Sequence, residues 1–486
     1  MPRGSTLEQT DEVARALGRY LSTVNEVTDY ESYIGLASPM DFNGMVRHYY
    51  LRQGSYVGEV RINLIDKEHR EHQSHDIALR IRPEVERIGR EYGAKLKIVE
   101  LPPGPPVLST VVAEVYGPPE ASYQNIINVS NRVKAALAET EGVVDVDDMV
   151  DAEHEKIHFR LNREKAALNG ITAAQVAQTL QLAVQGSAAG SMHIMTERKP
   201  LEIYLQLPRA IRSTLPDLLS LRVKSDQGHL VPLGEIGTMS VESGDTTIHH
   251  KNLQRLSYVT AEMAGRSPVE AILDMFDYFD ENPLPDGYTA DMAGEGEWKI
   301  TVDVFRDLGL AFGAAMVMIY VLLVGQTGSL GIPLVMMIAI PLTIIGIMPG
   351  FWLLNLFTEP VAGYPTPIYF TATAMIGMIA LAGIVVRNSI ILIDFIERTY
   401  NRDLETTLAE ALIEAGAIRL TPIFLTAAAA VFGSAIIVLD PIFSGLAWSF
   451  IFGIVASTLF SLVVIPVVYF LIKRNEPKEL NIETEL

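Results

Sequence analysis

The sequence predicts a two-part membrane protein, in which α+β subdomains come first and a bundle of five transmembrane helices follows. The 486 residues are 49% hydrophobic with a mean hydropathy of +0.23, which is too long and too apolar for one ordinary soluble domain. Charged residues occur every few positions up to about residue 300, whereas Glu359 is the only one between Asp307 and Arg387. Strand-like and helix-like patterns alternate in the charged part, and long apolar segments fill the rest.

The first 150 residues repeat a strand–helix–strand pattern. Alternating apolar residues predict strands, and apolar residues three or four apart predict helices. The predicted elements are a strand at 56–66, a helix at 75–92 with Ser74 as its N-cap, strands at 95–101 and 110–116, a helix at 122–140 and a strand at 143–146. Two successive βαβ units of this kind predict ferredoxin-like open sandwiches, each with helices on one face of a sheet.

The following 150 residues predict two helices, a β-rich insertion and a return to the sheet. A short helix from Asn162 ends at Asn169-Gly170, and a second helix begins near Thr172. The β-rich stretch runs from about 187 to 253, with turn signals at 225–228 and 242–245. A strand at 257–263, a helix at 268–279 and a turn at 283–287 then lead to the apolar part.

Five apolar segments are long enough to cross a bilayer, because a helix needs ~20 residues to span ~30 Å of hydrocarbon. They lie at about 305–325, 332–354, 369–396, 422–439 and 447–472. The alternative is a set of buried helices in a large soluble protein. These segments lack the polar stripe that such helices show to water.

Basic residues in the short loops predict the orientation. Arg398, Arg402 and Arg419 lie between the third and fourth segments, and Lys473 follows the fifth. By the positive-inside rule the C-terminus with its tail at 473–486 is cytoplasmic, and five crossings place the first 300 residues outside the cytoplasm. The opening residues hold no apolar export signal. We therefore expect a missing upstream part, either in one longer polypeptide or in a separately encoded half.

Arg387 is the most informative residue, because it lies within the third apolar segment. A guanidinium in hydrocarbon costs at least ~3 kcal/mol and keeps its charge, so it needs a counter-charge or an ion path. The alternative is an arginine that reaches the lipid interface with its side chain. Arg387 is about nine residues, or roughly 13 Å, from the end of the segment at Ile396, which makes that reach strained.

Composition and motifs exclude several function classes. A net charge of -20 argues against a general nucleic-acid role, which needs clustered Lys and Arg. A phosphate-binding GxxxxGK[ST] loop is lacking in the sequence, so ATP-driven transport has no support. His69, His72 and His75 are better explained as a solvated helix start than as metal ligands. We expect no metal site and no cofactor.

A set of motifs occurs in one order along the whole chain. They are Arg163-Glu-Lys-Ala-Ala-Leu-Asn-Gly-Ile-Thr172, Leu230-Val-Pro-Leu-Gly-Glu-Ile236, Pro341-Leu-Thr-Ile-Ile-Gly346, Gly383-Ile-Val-Val-Arg-Asn-Ser-Ile-Ile-Leu-Ile-Asp-Phe395 and Arg419-Leu-Thr-Pro-Ile-Phe-Leu-Thr426. In these motifs the chain resembles the C-terminal half of a resistance-nodulation-division (RND) efflux permease of the AcrB-type hydrophobe/amphiphile branch.

The resemblance implies a multi-pass transporter of the bacterial inner membrane and not an enzyme. By resemblance, residues 1–105 form a first porter subdomain and residues 108–186 with 254–297 a second, residues 187–253 form a docking insertion, and residues 305–472 form the transmembrane region. It also implies a missing N-terminal half with seven helices and an aspartate pair. The implied partners are further copies in a trimer, a periplasmic adaptor and an outer-membrane channel.

The resemblance assigns roles to Arg387 and Thr426, and Asn388 is considered for its position beside Arg387. Arg387 occupies the place of the family's usual lysine, between the two aspartates of the other half. A cation there favours the charged carboxylates, and protonation of one of them lets the helices shift. Arginine does not release a proton in proteins, so Arg387 is a fixed counter-charge. Thr426 matches the family's relay threonine, although a lone Thr can equally bond back to its own helix. Asn388 is expected to bond across helices.

The leading hypothesis is proton-driven export of amphiphilic small molecules, with the substrate left unspecified by the sequence. The alternative is a non-transporting scaffold or sensor subunit with the same fold.

Overall fold

The computed structural model describes residues 1–101, 107–292, 294–402, 405–440 and 442–474. The chain forms two compact units. One unit joins Met1–Val150 to Ile248–Leu486, and the other is Asp151–Thr247. Apart from residues 473 and 474, the predicted tail at 473–486 lies outside the described residues.

The N-terminal subdomain packs helices on a two-stranded antiparallel sheet. Its elements are α1 (Leu7–Leu21), β1 (Val27–Ile34), α2 (Phe42–Val46), β2 (Gly58–Leu64) and α3 (Ser74–Tyr92). Thr6 and Gln9 cap α1 reciprocally, which satisfies two backbone N–H groups at its start. The core between the helices and the sheet includes Leu21, Ile77, Ile81 and Val85.

The sequence predicts β2 and α3 within two residues, but it does not predict α1 or β1, and the N-cap of α3 is Gln73 and not Ser74. The predicted strand at 95–101 is wrong. Leu96 and Ile98 do pack against the core, which accounts for the alternation. Lys95 and Lys97 place Nζ 3.0 and 2.9 Å from the Asp147 carboxylate. Apolar packing and ion pairs, and not a backbone ladder, hold this segment.

The next strand–helix–strand unit forms as predicted, within two residues at each end. It consists of β3 (Val111–Tyr116), α4 (Tyr123–Glu139) and β4 (Val143–Asp148). The core side of α4 is its apolar stripe, which includes Ile126, Val133 and Leu137. Ser122 caps the helix by accepting a bond from the Asn125 N–H.

The unit Asp151–Thr247 follows β4 and has its own small core. Its elements are β5 (Glu155–Leu161), α5 (Arg163–Leu168), α6 (Ala173–Val184), β6 (Ser187–Met192), β7 (Leu201–Leu205), α7 (Arg209–Arg212), α8 (Leu215–Ser220), β8 (Arg222–Lys224), β9 (Leu230–Pro232), α9 (Leu233–Ile236) and β10 (Gly237–Ser243). The strands pair antiparallel as β5 with β10, β6 with β7 and β8 with β9.

Local signals in this unit agree with the sequence. Gly170, at φ +64°, ends the turn after α5, and Thr172 caps α6 in a reciprocal pair with Gln175. The two ends of the unit are joined. Asp151 Oδ2 accepts hydrogen bonds from the Thr247 N–H at 3.0 Å and the Thr247 hydroxyl at 2.8 Å. This carboxylate closes the neck through which the chain enters and leaves.

The chain returns to the sheet as β11 (His249–Lys251), β12 (Gln254–Met263), α10 (Pro268–Glu281) and β13 (Thr289–Asp291). β12 is central in a five-stranded antiparallel sheet, because it pairs with β3 on one edge and with β11 and β4 on the other. β13 pairs with the outer edge of β3. α4 and α10 share one apolar core with the sheet. We call this sheet with its two helices the five-stranded subdomain.

The apolar part forms helices that correspond to the five predicted spans. They are α11 (Glu297–Thr327), α12 (Ile332–Met337), α13 (Ala339–Asn355), α14 (Ala372–Tyr400), α15 (Leu408–Ala435) and α16 (Ser444–Lys473). α12 and α13 make one span with a break at Ile338. Pro341 causes the break, because it has no N–H for the Met337 carbonyl and its ring displaces that carbonyl. The five predicted spans are confirmed within the described ranges.

Glycines let α13, α14 and α16 pack closely. A Cβ at Gly453 of α16 would lie 2.1 Å from Leu381 Cδ2 of α14, and one at Gly346 of α13 would lie 2.2 Å from Ala456 Cβ of α16. At Gly377 of α14 it would lie 2.3 Å from Ser449 Oγ of α16. Small residues allow close van der Waals packing, which holds helices together in lipid, where the hydrophobic effect between helices is weak.

The glycine contacts predict that Gly453→Val destabilises the membrane part. The added side chain overlaps Leu381, so overpacking should cost about 1–3 kcal/mol or more. The measurement is the fraction of detergent-solubilised protein that remains monodisperse after heating. Gly433→Val is the matched control, because a Cβ there meets no described atom within 4 Å. Equal heat resistance of the two variants would contradict this packing.

Candidate functional site

One face of α14 is left uncovered by the described part of the chain. Its exposed residues recur every three or four positions and therefore lie on a single helical face. We call them the α14 stripe, and they are Ile376, Ala380, Gly383, Arg387, Ile391, Asp394 and Arg398. The other side of α14 is buried, with Leu381, Val385 and Leu392 in the core of the helix bundle.

Arg387 lies in the middle of this stripe and near the middle of the 29-residue α14. Within the described ranges its guanidinium makes neither an ion pair nor a hydrogen bond. The other two charges on the stripe neutralise each other, because Arg398 Nη2 lies 3.0 Å from Asp394 Oδ2. Any counter-charge for Arg387 must therefore come from atoms beyond these residues.

The neighbours of Arg387 differ sharply in exposure. Asn388 is half-buried, and its side chain has no hydrogen-bond partner among the residues described. Ser389 is fully buried, and its hydroxyl donates to the Val385 carbonyl at 2.9 Å. Asn388 is thus the polar side chain beside the guanidinium that remains available to a group outside this chain segment.

Thr426 lies on α15, which packs against α14 and α16. Its side chain is exposed, and its hydroxyl donates to the Ile423 carbonyl of the same helix at 2.9 Å. This is the back-bond that the alternative interpretation of a lone threonine expects. The hydroxyl oxygen still has lone pairs that can accept a further bond. Thr426 and Arg387 are not joined by a hydrogen bond in the described structure.

A polar contact near the Tyr400 end of α14 has no signal in the sequence. The Tyr469 hydroxyl of α16 donates to Glu397 Oε1 of α14 at 2.9 Å, between residues 72 positions apart. The Phe395 ring lies nearby on α14, and the Arg419 guanidinium of α15 lies 4.5 Å from its centre. These contacts fix three helices at this end.

Charged residues also join the N-terminal subdomain to the five-stranded subdomain. Arg47 Nη1 lies 2.9 Å from Glu262 Oε1, and the Ser109 hydroxyl donates to the same carboxylate at 3.0 Å. Asp147 meets Lys97 and Lys95 across the same boundary. Burial raises the pKa of Asp147, but the two lysines overcome this and lower it to about 2. Sequence spacing cannot find such pairs, because 215 positions separate Arg47 from Glu262.

A cavity of about 370 Å³ lies beside β3, and its lining includes the first turns of α11. Glu114, Tyr116, Lys251, Trp298 and Lys299 line it. The buried Glu114 carboxylate accepts bonds from the Tyr116 hydroxyl and Lys251 Nζ, each at 2.6 Å. Burial and then Glu114 raise the pKa of Tyr116. None of the predicted site residues lines this cavity.

The histidines near residue 70 do not converge. His75 Nδ1 lies 3.1 Å from both Glu100 carboxylate oxygens, and this hydrogen bond raises the pKa of His75. Among the residues that the structure describes, groups of three His, Cys, Asp or Glu suited to a metal ion are not found.

Comparisons with known proteins agree with this architecture. A family model described as the AcrB/AcrD/AcrF family matches residues 1–473. Swarming motility protein SwrC of Bacillus subtilis (strain 168) is 27% identical over 379 residues, which is 76% of this chain and 34% of that protein. Cobalt-zinc-cadmium resistance protein CzcA of Cupriavidus metallidurans is 25% identical over 388 residues, covering 76% and 34%. Multidrug resistance protein MdtC of Proteus mirabilis is 24% identical over 367 residues, covering 72% and 34%.

The chain therefore spans about a third of the length of these relatives. Among solved structures, the X-ray crystal structure of a heavy metal efflux pump in crystal form II is similar to the chain with a TM-score of 0.77. The sequence identity is 19%, and the match covers 98% of this chain and 47% of that one. This likeness shows the shared fold.

The exposures of Thr426 and Ser389 predict that valine substitution affects the amount of folded protein differently at the two positions. Thr426→Val should leave the amount of folded protein unchanged, because the side chain is exposed and loses only a bond to its own helix. Ser389→Val should lower that amount, because it adds volume at a fully buried position. Quantitative detection of detergent-stable protein in membranes checks both. A loss for Thr426→Val equal to that for Ser389→Val would contradict the view that Thr426 is exposed and bonds only to its own helix.

Proposed function

Because the chain belongs to the AcrB/AcrD/AcrF family of resistance-nodulation-division permeases, we propose that it works as half of a proton-driven exporter in the bacterial inner membrane. The missing N-terminal half supplies seven further helices and a pair of aspartates, in the same polypeptide or in a separate one. Without that half, the scaffold or sensor interpretation remains the alternative of another class.

Arg387 is the observation that carries the proposal. A permanent cation near the middle of a membrane helix is stable only with an acidic partner or water beside it. The α14 stripe has Ala380 and Gly383 on the same face, so a helix can approach its backbone closely there. We infer that the aspartate-bearing helix of the other half packs on this stripe.

Proton binding in this arrangement changes an electrostatic contact. With both aspartates charged, Arg387 attracts their helix strongly. A proton on one carboxylate weakens that attraction, and the two helices can then move relative to each other. Asn388 offers an amide beside the pair, and Thr426 offers a hydroxyl oxygen that accepts a bond from a protonated carboxyl or a water.

The soluble half belongs outside the cytoplasm in this proposal, with the C-terminus inside. Residues 1–105 act as the first porter subdomain, residues 108–186 with 254–297 as the second, and residues 187–253 as the docking insertion. The complete transporter works as a trimer with a periplasmic adaptor and an outer-membrane channel. Arg398, Arg402 and Arg419 lie between the third and fourth spans, whereas the loops at 355–368 and 440–446 hold no Lys or Arg, which supports this orientation.

The proposed substrates are amphiphilic small molecules. The N-terminal subdomain exposes apolar side chains around α2, where Phe42 and Leu51 are each 66% exposed and Met40 is 62% exposed. Such a surface suits the apolar part of an amphiphile. Heavy-metal export is the second candidate, favoured by the relation to CzcA and by the fold shared with a heavy metal efflux pump.

The charge role predicts that Arg387→Leu lowers export by about tenfold or more, because the aspartates lose their counter-charge. Arg387→Lys should keep most activity, since it keeps a cation. The measurement is efflux of a fluorescent amphiphile from energised cells that contain the complete transporter, with a parallel assay of Zn²⁺ efflux. Arg398→Leu is the control, because Arg398 already has Asp394 as partner. Unchanged efflux of both substrates in Arg387→Leu would remove the assigned role.

The relay role predicts that Thr426→Val lowers export while Thr426→Ser keeps it, because only serine retains the hydroxyl. Proton uptake by energised vesicles should fall in parallel with efflux. Transport by Thr426→Val is compared with the parent at equal amounts of protein in the membrane. The exposure of Thr426 predicts that the amounts are equal. Parent-like transport by Thr426→Val would show that the hydroxyl serves its own helix alone.

A further inference from the structure

The boundary between the N-terminal and five-stranded subdomains is electrostatically one-sided. Arg47, Arg82, Lys95 and Lys97 belong to the N-terminal side, and each meets an acid of the five-stranded side. The acids are Glu262 on β12 and Asp145 and Asp147 on β4. The nitrogen–oxygen distances lie between 2.8 and 3.0 Å. This polarity gives strong attraction across a boundary that can still separate.

One of these pairs is buried, a second is partly buried, and both are incompletely satisfied. The Arg82 and Asp145 side chains are 5% and 6% exposed, and the Arg47 side chain is 7% exposed. Arg47 Nε and Arg82 Nε have no hydrogen-bond partner in the described structure. Asp145 also holds a left-handed backbone at φ +53°, which is uncommon for a residue other than glycine. Well-packed apolar residues would stabilise a permanent contact at least as well.

A small cavity remains inside this boundary. It measures about 30 Å³, which is room for about one or two waters, and Arg47, Arg52, Thr260 and Glu262 line part of it. The subdomains therefore meet through a closed cleft and not through one continuous apolar core. Ion pairs cross the boundary at this cleft, and the apolar Ile98, Val99, Leu108 and Met149 also line the cavity.

Thr110 bonds both to Glu262 and to the start of α11. The Thr110 hydroxyl donates to the Glu262 carboxylate, and the Ser109 hydroxyl lies within hydrogen-bond distance of both that carboxylate and the Ala261 carbonyl. The Thr110 carbonyl accepts the Glu297 N–H at 3.1 Å, and the Leu108 N–H donates to the Glu295 carbonyl at 3.2 Å. A movement of the first turn of α11 is therefore transmitted directly to the groups that orient Glu262.

We propose that the Arg47–Glu262 ion pair is a releasable latch of this cleft, and that Thr110 couples it to the first turn of α11. The latch opens when α11 displaces Thr110, because Glu262 then loses the hydroxyl that aims it at Arg47. The inference rests on the proposed export function only for the source of that displacement. Arg47, Glu262 and Thr110 are positioning residues in this account, since none of them is assigned contact with a substrate.

Cysteine accessibility tests the latch directly. The chain has no native cysteine, and Thr260→Cys places a thiol in the cleft at a position that is 6% exposed. The complete transporter in membrane vesicles, with any cysteines of the other half replaced, is labelled with a maleimide. Glu262→Gln in this background should speed labelling about tenfold or more, because it removes the carboxylate that pairs with the largely buried Arg47. The amide keeps the shape, and its single oxygen can still accept one of the two hydroxyl bonds.

Two variants separate a latch from a general loss of structure. Glu91→Gln removes one carboxylate of an exposed ion pair with Arg87 on α3 and should leave labelling at the parent rate. Exchange of the charges by Arg47→Glu with Glu262→Arg should return labelling towards the parent rate. Labelling of Glu262→Gln no faster than that of Glu91→Gln would overturn the latch.

The link to α11 has its own readout. Thr110→Val should speed labelling, whereas Thr110→Ser, which keeps the hydroxyl, should not. Equal rates for the parent and Thr110→Val would overturn the link. Labelling of the parent is also compared with and without an imposed proton gradient. The labelling rate of the parent could stay the same with the gradient while Glu262→Gln still labels faster. That result would count against proton-driven export but would still support the latch.

Discussion

A guanidinium in hydrocarbon cannot give up its charge, and this constraint distinguishes the two sides of α14. α14 turns its buried side towards α13 and α16, where glycines allow backbone contact at Gly377 and Gly453. The opposite side, with Arg387 at its centre, stays open. One side of α14 is thus closely packed within the chain. The other side exposes a charge that has no partner among the described residues.

β12 has a comparable double role in the soluble half. It is hydrogen-bonded on both edges, so it is a firm base for any side chain that projects from it. Thr260 and Glu262 project to the boundary with the N-terminal subdomain, whereas Val259 and Ala261 face the core under α4 and α10. The strand period of two assigns these roles. A rigid strand, a pair of buried charges and the first turn of α11 are thereby connected through Thr110.

The sequence predicts what depends on local periodicity. The five spans, α3, α4 and the cap at Thr172 are readable because apolar spacing and capping chemistry act over a few residues. The segment 95–101 misleads for the same reason, since its alternation reflects packing of Leu96 and Ile98 and ion pairs of Lys95 and Lys97, and not a strand. Arg387 stands out against apolar neighbours, but Glu262 and Arg47 do not, because their partnership exists only after folding brings distant segments together.

The neck at Asp151 and Thr247 has a consequence for how such proteins diversify. Two hydrogen bonds to one carboxylate bring the ends of a 97-residue excursion together before the chain rejoins the sheet. Because the ends are already fixed, the length and shape of the excursion hardly affect the loop-closure entropy of the sheet that carries it. Evolution can therefore exchange or enlarge this module as an independent graft, while the strands on either side keep their register.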